Sequence, residues 1–332
     1  MRRFAAAFTV AIGLGALALL PACSNGASRE PSSMLPSAGM SGLERSWMAG
    51  DTTNQDLFYI SDRGTNKVYA YAYPQGTLEG TLTGFHSPAG ICVDKTGDIW
   101  VSEQGSAQLK EYAHGGTKAI AVLDDPGEIP VSCAIDPTTG NLAVANYYKR
   151  RHKGHGSIAI FIDAKGKPTF YNGSQGLYGY FCGYDDKGNL FVDGTSHVSG
   201  GFLFEELAKG SAKLRNITLT GGTIYFPGQV QWDGKYVAVG DQTYGRRQGA
   251  AGIFRTTGAG GKIVGVTTLT GYGDVVEFWI QGNTLVAPNY SARAALLYKY
   301  PAGGEPKKIV SGLRQPFGAV VSLAHQELRT AE

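Results

Sequence analysis

An apolar strand, a polar turn and a second apolar strand recur six times along this sequence, and this repeat constrains the fold more than any other feature. The turn position recurs at intervals of about 42 to 49 residues, the range expected for a repeat architecture. In five of the copies it is occupied by Asp94, Asp136, Asp185, Asp233 and Gln281. The alternation of apolar and polar residues on both sides of the turns indicates strands and not helices. The repeat is therefore typical of a radial β-structure or a solenoid.

Each unit is predicted to contain four short antiparallel strands, separated by turns rich in Gly, Asp, Asn and Pro. In the clearest unit the predicted strands are residues 89–93, 98–102, 109–112 and 119–123. A single sheet of this kind cannot bury both of its faces, whereas a closed ring of sheets leaves no long exposed edge. The sequence therefore predicts an all-β fold in which sheets stack around a ring.

The two ends of the repeat region predict how this ring closes. Residues 56–61 match a second strand that lacks a first, and residues 316–323 match a first strand with nothing after it. Pro316 stands at the position that is also proline in three other copies, Pro88, Pro130 and Pro227. We therefore expect the N- and C-terminal strands to pair within one shared unit. This predicts a six-bladed β-propeller of four-stranded antiparallel blades.

The second unit, PAGICVDKTGDIWVSE (residues 88–103), resembles the NHL repeat of six-bladed β-propellers. The positions that carry the resemblance are Pro88, Gly90, Asp94, Gly97 and Val101. The resemblance extends, less closely in the last two units, over residues 56–323. It implies the propeller fold and leaves the function open, because propellers of this kind include binding scaffolds as well as enzymes.

Residues 1–23 have the pattern of an export signal, with Arg2 and Arg3 before an apolar stretch that is shorter than the ~20 residues of a membrane span. The stretch ends in Leu-Pro-Ala-Cys, and this resembles the lipobox of bacterial lipoproteins, in which the cysteine, here Cys23, is lipidated and becomes the N-terminus. Ordinary cleavage by signal peptidase is the alternative. Residues 24–55 are predicted to be a flexible tether, with docking of residues 46–48 on the propeller wall as an exception. Residues 324–332 are predicted to be a C-terminal tail.

The charge balance argues against polyanion binding by the chain as a whole. The sequence contains 30 basic and 27 acidic residues, and loss of Arg2 and Arg3 with the signal would leave the mature chain nearly neutral. We therefore expect no nucleic-acid partner, a monomer, and membrane contact only through a lipid on Cys23.

Three further cysteines lie in the repeats. Cys133 and Cys182 occupy the same strand position, and Cys92 is shifted by one residue. Because side chains alternate along a strand, Cys92 and Cys133 of adjacent units point either toward each other or directly away. A Cys92–Cys133 disulfide is therefore a candidate in an exported protein. The alternative is that all three are small buried apolar residues.

Acidic and amide residues end the predicted second strands, at the face where propellers usually bind ligands. Six-bladed gluconolactonases and regucalcin-like proteins hold one metal there with a Glu, an Asn and an Asp. This resemblance implies a candidate set for a cation such as Ca²⁺, consisting of Glu103 or Glu128, Asn146 and Asp241. The glycine-containing motifs around the ligands of those families are absent here. Capping of turns by the same side chains is the alternative.

The loops after the second strands concentrate basic and aromatic residues above the same face. The candidate binding residues are Arg63, Tyr147, Lys149, Arg150, Arg151, Tyr244, Arg246 and Arg247. Tyrosine stacking and guanidinium hydrogen bonds suit anionic polymers or head groups. A charged loop that is merely solvated is the alternative.

Two functions follow from these features. The first is a membrane-anchored lipoprotein facing the periplasm or the cell exterior, which acts as a binding or scaffolding module for an anionic envelope polymer, a lipid head group or a partner protein. The second is an exported, metal-dependent, lactonase-like hydrolase that uses the channel carboxylates. The sequence contains no H-E-x-x-H, G-x-S-x-G or P-loop motif, so no local pattern indicates a zinc site or a nucleophile.

Overall fold

The computed structural model describes residues 45–149, 154–244 and 249–324. Within these ranges the helical segments are 3₁₀ turns of three residues, at Thr52–Asn54, Ile162–Ala164, Ser174–Gly176 and Gly258–Gly260. All other regular structure is β-strand, so the predicted all-β fold is confirmed. No helix in the described ranges is long and apolar enough to cross a membrane.

The first four sheets are antiparallel. The closing sheet has the spatial order β1 (Trp47–Met48), β4 (Leu78–Leu82), β3 (Lys67–Ala72), β2 (Leu57–Asp62) and β25 (Pro316–Ser322). The second sheet contains β5 (Pro88–Val93), β6 (Ile99–Glu103), β7 (Gln108–Tyr112) and β8 (Ala119–Asp124). The third contains β9 (Glu128–Ile135), β10 (Leu142–Lys149), β11 (Ile158–Phe161) and β12 (Thr169–Tyr171). The fourth contains β13 (Leu177–Tyr184), β14 (Leu190–Ser196), β15 (Phe202–Leu207) and β16 (Arg215–Asn216).

The fifth sheet, here called the double sheet, has eight strands in two antiparallel runs. Its first run contains β17 (Pro227–Trp232), β18 (Val237–Asp241), β19 (Ala251–Thr256) and β20 (Ile263–Leu269). Its second run contains β21 (Trp279–Gln281), β22 (Thr284–Asn289), β23 (Ala294–Lys299) and β24 (Gly303–Ser311). A single parallel bridge, Leu269 to Gly304, joins the two runs at their outer strands.

The repeated aspartates are turn residues. A carboxylate oxygen of each accepts the backbone N–H two residues further on, at 2.8 to 3.0 Å, and the four residues concerned are Asp94, Asp136, Asp185 and Asp233. Such side-chain caps close the hairpin between the first and second strands of a unit. The spacing of aspartates in the sequence is therefore the spacing of hairpins in the fold.

The chain ends meet in the closing sheet. Strand β25 pairs antiparallel with β2, with Leu57 opposite Ser322 and Ile60 opposite Ala319. The predicted pairing of the terminal strands is therefore present, and β25 supplies the innermost strand of a sheet whose other strands come from the N-terminal side. Since β25 has no partner in its own part of the chain, closure is a contact between the two ends of the described chain.

Apolar cores lie between the sheets. Within the described residues there are six buried clusters at successive interfaces. One member of each, in order around the ring from the interface of the closing and second sheets, is Ile91, Leu142, Leu190, Val230, Leu296 and Val286. Because each sheet is covered on both faces, strand β2 is buried at every position.

A short segment before the repeats docks on the outer edge of the closing sheet. Trp47 and Met48 pair with Thr81 and Gly80 of β4, and the Ser46 hydroxyl accepts the N–H of Thr83 at 2.9 Å. Residues 46–48 are therefore docked on this sheet, as predicted for this part of the tether region. The earlier residues 1–44, with the predicted signal, Cys23 and most of the tether, lie outside the described residues.

Candidate functional site

A cavity of about 630 Å³ opens at the centre of the ring, where the innermost strands begin. We call it the channel-mouth cavity. Its walls come from all five sheets, and they include Phe317, Gln104, Tyr147, Tyr180 and Gln242. The walls are mainly apolar and aromatic with a few polar side chains, which is the usual composition of a small-molecule site.

Arg63 is the cationic side chain among the described residues of this wall. It follows β2, and its backbone N–H donates to the carbonyl of Gln315 at 3.0 Å, which places the side chain beside the closing strand. The guanidinium carbon lies 3.5 Å from the ring centroid of Phe317. Its Nε and Nη2 atoms are buried and have no hydrogen-bond partner. Because an unsatisfied buried donor is costly, these two atoms mark a position that suits an anionic or strongly polar group.

A buried acid lies near this guanidinium. The Glu277 side chain is fully buried, and its Oε1 accepts the N–H of Ile91 at 3.3 Å across the channel. Its Oε2 has no partner, and Arg63 does not come within ion-pairing distance of it. Burial raises the pKa of Glu277 well above its usual range, and the N–H of Ile91 and the charge of Arg63 oppose this shift. Burial likewise lowers the pKa of Arg63 to about 10. Arg63 thus stays cationic at neutral pH without a neutralising partner.

A second cavity of about 560 Å³, here the rim cavity, adjoins the first. It is lined by Gly154, His155, Tyr178 and His197, and it shares Tyr147 and Tyr148 with the channel-mouth cavity. The Tyr178 hydroxyl and the His197 Nδ1 lie 2.7 Å apart. Both cavities therefore open on the same face of the ring.

The predicted binding residues divide into three groups. Arg63 and Tyr147 line the channel-mouth cavity. Lys149 is exposed at the end of β10, and Tyr244 instead packs its ring against Phe254 at 5.5 Å, outside both cavities. The remaining four, Arg150, Arg151, Arg246 and Arg247, lie outside the described residues.

The four predicted cation ligands do not converge on one point. The Glu103 carboxylate pairs with Lys110 at 2.9 Å and accepts the hydroxyl of Ser106. Both oxygens of Asp241 are occupied, because Oδ2 accepts the N–H of Tyr225 and Oδ1 accepts the N–H and the hydroxyl of Thr243. The donor set therefore does not fit a shared Ca²⁺, and turn capping accounts for Asp241.

Glu128 and Asn146 do come together, next to a residue that the repeat pattern does not mark. This residue is Asp125, which is fully buried and whose carboxylate oxygens make no hydrogen bond of standard geometry. Burial raises the pKa of Asp125 to about 7; the Asn146 side chain lowers it in part, and Glu128 adds to the rise. The carboxyl group of Asp125 therefore titrates near neutral pH and not near pH 4.

One trio of acidic side chains converges among the described residues, at the opposite end of β5 from the cavity: Asp94, Asp98 and Glu111. The Asp94 Oδ1 accepts the N–H groups of Thr96 and Asp98, and the Asp98 Oδ1 accepts the N–H of His114. These oxygens cap the hairpin, so turn chemistry explains the trio.

The cysteines follow the geometry of adjacent sheets. Cys92 of β5 and Cys133 of β9 are joined by a disulfide, with Cα atoms 5.6 Å apart. Cys182 is a free, buried thiol, and burial raises its pKa to about 12. The disulfide links the second sheet to the third across their shared apolar core.

Comparison with solved structures concerns the fold. A chain from the crystal structure of a nidogen/laminin complex superposes with a TM-score of 0.65 at 11% identity, covering 81% of this chain and 99% of that chain. The fold is a β-propeller. The crystal structure of a functionally unknown protein from Desulfotomaculum acetoxidans DSM 771 superposes with a TM-score of 0.56 at 10% identity, covering 81% of this chain and 100% of that chain. No family model and no curated protein matches the sequence.

Within this propeller, sequence reasoning missed Phe317, Tyr180 and Glu277. Phe317 and Tyr180 each lie in a copy of the repeat, at the start of its innermost strand. Their shared signal was that an aromatic residue stands one place after the proline-equivalent position at the start of an innermost strand. Glu277 carried no such signal, because an acid inside an apolar strand reads equally well as a solvent-facing residue.

Proposed function

We propose that this chain is an exported, membrane-anchored binding module whose channel-mouth cavity holds an anionic ligand of the cell envelope. The observation that carries the proposal is Arg63, whose guanidinium is stacked on Phe317 and has two buried nitrogens without partners at the wall of the cavity. Guanidinium groups bind carboxylates and phosphates through paired hydrogen bonds. An anion at this position would satisfy donors that the protein leaves unsatisfied.

We further infer six blades of the NHL type, with each run of the double sheet counted as one blade. The innermost strands of the two runs do not form a ladder. The Gln231 side chain bonds both the N–H and the carbonyl of Ile280, and one backbone bond, from the Gln229 N–H to the Val276 carbonyl at 3.1 Å, lies beside it. A separate apolar cluster also lies between the runs. Both features are those of neighbouring blades, and the parallel bridge at Leu269 is a single contact.

The location outside the cytoplasm rests on two features of the chain. The export signal with Cys23 at its end supplies a lipid anchor, and the Cys92–Cys133 disulfide suits an oxidising compartment. The segment between Cys23 and residue 45 would act as the tether. The channel-mouth cavity would then face the periplasm or the cell exterior.

The binding role is also consistent with the propeller neighbour, which was solved in a nidogen/laminin complex. The alternative function, a metal-dependent hydrolase, has less support, because the carboxylate of Glu103 pairs with Lys110 and that of Asp241 accepts the N–H of Tyr225. A nearly neutral chain with one cation among the described residues of its central cavity favours local recognition of an anion over general polyanion binding.

The test compares Arg63→Gln with Arg314→Gln, which removes an exposed guanidinium from the neighbouring loop. The mature full-length protein is titrated with polygalacturonate and, separately, with vesicles containing phosphatidylglycerol. We expect Arg63→Gln to weaken binding of at least one probe by on the order of tenfold, the effect of losing a charge-assisted hydrogen bond. Arg314→Gln should bind as wild type does. Equal binding by wild type and Arg63→Gln, with both proteins folded, would contradict the proposal.

A further inference from the structure

The two cavities lie side by side on one face of the ring. Tyr147 and Tyr148 line both of them, so the channel-mouth cavity and the rim cavity meet along these two side chains. We define the aromatic cleft as eight of the nine rings that line them, all except Tyr290: Phe317, Phe181, Tyr180, Tyr147, Tyr148, Tyr178, His155 and His197. It runs from Arg63 at the centre of the ring to the outer edge over the third and fourth sheets.

Neighbouring rings of the cleft are in contact. From the centre outward, the centroid separations are 6.3 Å for Phe317–Phe181, 6.3 Å for Phe181–Tyr180 and 4.9 Å for Tyr180–Tyr147. At the rim, Tyr147 lies 5.4 Å from Tyr178, Tyr178 lies 5.6 Å from His197, and His155 lies 4.4 Å from His197. The ring contacts therefore run without a break from Phe317 to His155, and they pass at one point through Phe181, which is fully buried.

The outer half of the cleft exists because two hairpins are longer than the repeat requires. Strands β9 and β10 stay paired as far as Glu128 and Lys149, and β13 and β14 as far as Leu177 and Ser196. These extensions carry Tyr147, Tyr148 and Tyr178 above the ends of the other innermost strands.

Close backbone approach also shapes the rim. A Cβ on Gly176 would lie 3.0 Å from three ring atoms of His155, so the imidazole rests flat on this glycine. Gly176 also has a φ of +65°, a conformation that glycine adopts without strain. The carbonyl of Gly176 accepts the N–H of His197, which places the two imidazoles side by side. The rim rings are thus positioned by the backbone.

We propose that the aromatic cleft binds an acidic oligosaccharide, with a carboxylate of one sugar on Arg63 and successive sugar rings along the aromatic side chains. The proposal rests on the proposed function, since it specifies the anion bound at Arg63. It adds that the ligand is a chain of several sugars and that the third and fourth sheets carry its outer end.

The polarity of the cleft favours sugars. Sugar rings present C–H faces that pack on aromatic rings and hydroxyl groups that need hydrogen-bond partners, and tyrosine and histidine provide both an apolar face and a polar edge. The half-exposed rings of Tyr147, Tyr178 and Tyr180 keep these edges accessible to a ligand. An open cleft of this kind suits a chain that passes through it better than a small enclosed ligand.

The charge of the described cleft lining suits a ligand with few anionic groups. Each nucleotide carries a phosphate, and tight binding needs a cation for many of them. Among the described residues that line the cleft, Arg63 is the one guanidinium and there is no lysine. A ligand with a carboxylate that can be placed at one point matches this arrangement.

The experiment uses the mature full-length protein and three probes: hexagalacturonate, its methyl ester and digalacturonate. The variants are Arg63→Gln at the inner end and Tyr178→Ala and His197→Ala at the outer end. Tyr225→Ala is the matched control, because this tyrosine is 71% exposed and lines neither cavity. An oligothymidylate of similar length tests the nucleic-acid alternative.

We expect hexagalacturonate to bind more tightly than its methyl ester and digalacturonate. Tyr178→Ala and His197→Ala should each weaken the binding of hexagalacturonate by about fivefold to tenfold, which is the effect of losing one stacking contact. Neither substitution should change the binding of digalacturonate. Tyr225→Ala should have no effect. Arg63→Gln should weaken the binding of both hexagalacturonate and digalacturonate. It should also remove the difference in affinity between hexagalacturonate and its methyl ester.

Failure of the extended-cleft proposal and failure of the proposed function would give different results. If Arg63→Gln weakens the binding of anions but the outer variants bind the hexamer as wild type does, the extended cleft is wrong and the proposed function stands. If no galacturonate probe depends on Arg63 and the vesicles do, the ligand is a lipid head group and the sugar proposal is overturned. Tighter binding of oligothymidylate than of hexagalacturonate would overturn it as well. Because Tyr178 and His197 lie at the surface, their variants should fold, and thermal melting of each variant checks this.

Discussion

Arg63, in the loop after β2, stacks its guanidinium 3.5 Å from the ring centroid of Phe317, which lies in β25. The two residues come from opposite ends of the described chain, and the pairing of β2 with β25 brings them together. The contact that closes the ring therefore also builds the wall of the channel-mouth cavity. Stability of the ring and integrity of the site should respond together to changes in β25.

Deletion of residues 314–332 should unfold the protein. It removes β25, exposes the inner edge of β2 and uncovers two apolar clusters to which Val320 and Val321 belong. Burial of each such side chain contributes about 1.5 to 3 kcal/mol. Their loss would remove much of the free energy of unfolding, which is typically about 5 to 15 kcal/mol. We expect the cooperative melting transition seen by circular dichroism to disappear. Deletion of residues 325–332 alone, which spares β25, is the control, and an unchanged melt of the longer deletion would show that closure does not depend on β25.

Replacement of Cys23 by Ser should release the protein from membranes. Acyl chains on this residue would supply the apolar area that holds the protein there. We expect the variant in the soluble fraction after cell lysis, with Ser24→Ala remaining in the membrane fraction. Retention of Cys23→Ser in membranes, or a mature N-terminus without lipid by mass spectrometry, would refute the anchor.

Removal of the disulfide should lower the free energy of unfolding. The bond between Cys92 and Cys133 closes a loop with a sequence separation of 41 residues, and loops of such length are stabilised by about 3 to 4 kcal/mol. The double variant Cys92→Ala/Cys133→Ala should therefore unfold at lower urea concentration. Reductant should shift the urea midpoint of wild type in the same direction and leave that of the double variant unchanged. Equal midpoints for wild type with and without reductant, once thiol labelling confirms reduction, would contradict this.

Asp125→Asn should stabilise the protein at alkaline pH. Burial raises the pKa of Asp125 to about 7 from an ordinary value of 3.8, so ionisation opposes folding. The contribution of this carboxyl to stability falls as the pH rises from about 4 to 7, and above 7 the full cost is present, at most about 4 kcal/mol. The amide cannot ionise, so the advantage of the variant over wild type should be largest at pH 8 and clearly smaller at pH 5. Urea unfolding at both pH values measures this, with the exposed neighbour Asp124→Asn as control. A difference that does not change with pH would rule out the titration.

Reversal of the basic loops should weaken anion binding without unfolding the ring. The fourfold variant replaces Arg150, Arg151, Arg246 and Arg247 by Glu, and these residues follow β10 and β18 in the sequence. Fixed positive charge near a site raises the local concentration of anions, and salt weakens this effect. We expect weaker binding of polygalacturonate at low salt and a smaller difference at high salt. Wild-type affinity at low salt would mean that these loops are only solvated surface.

The local turn chemistry made much of the fold readable from the sequence. Asp94, Asp136 and Asp185 recur because each caps its own hairpin two residues on, which is an interaction within a few residues of chain. The pairing of β2 with β25 was predictable for a related reason, since each end showed half a unit. Arg63 and Tyr147 were predictable as site residues from their positions after second strands. Tyr244 has the same kind of position, yet it packs on Phe254, because the route of the chain beyond the strand end decides which side a ring takes.

The sequence by itself determined the all-β class, the repeat of hairpins and the meeting of the chain ends, because these depend on local turns and on alternation along single strands. Only the tertiary structure decided that Phe317 lies under Arg63, that Glu277 is buried beside them without an ion pair, and that the cation ligands implied by resemblance do not converge. It also decided that two hairpins extend far enough to join two cavities into one aromatic cleft. These features depend on distances between residues of different sheets, and a pattern read along one chain contains no such distances.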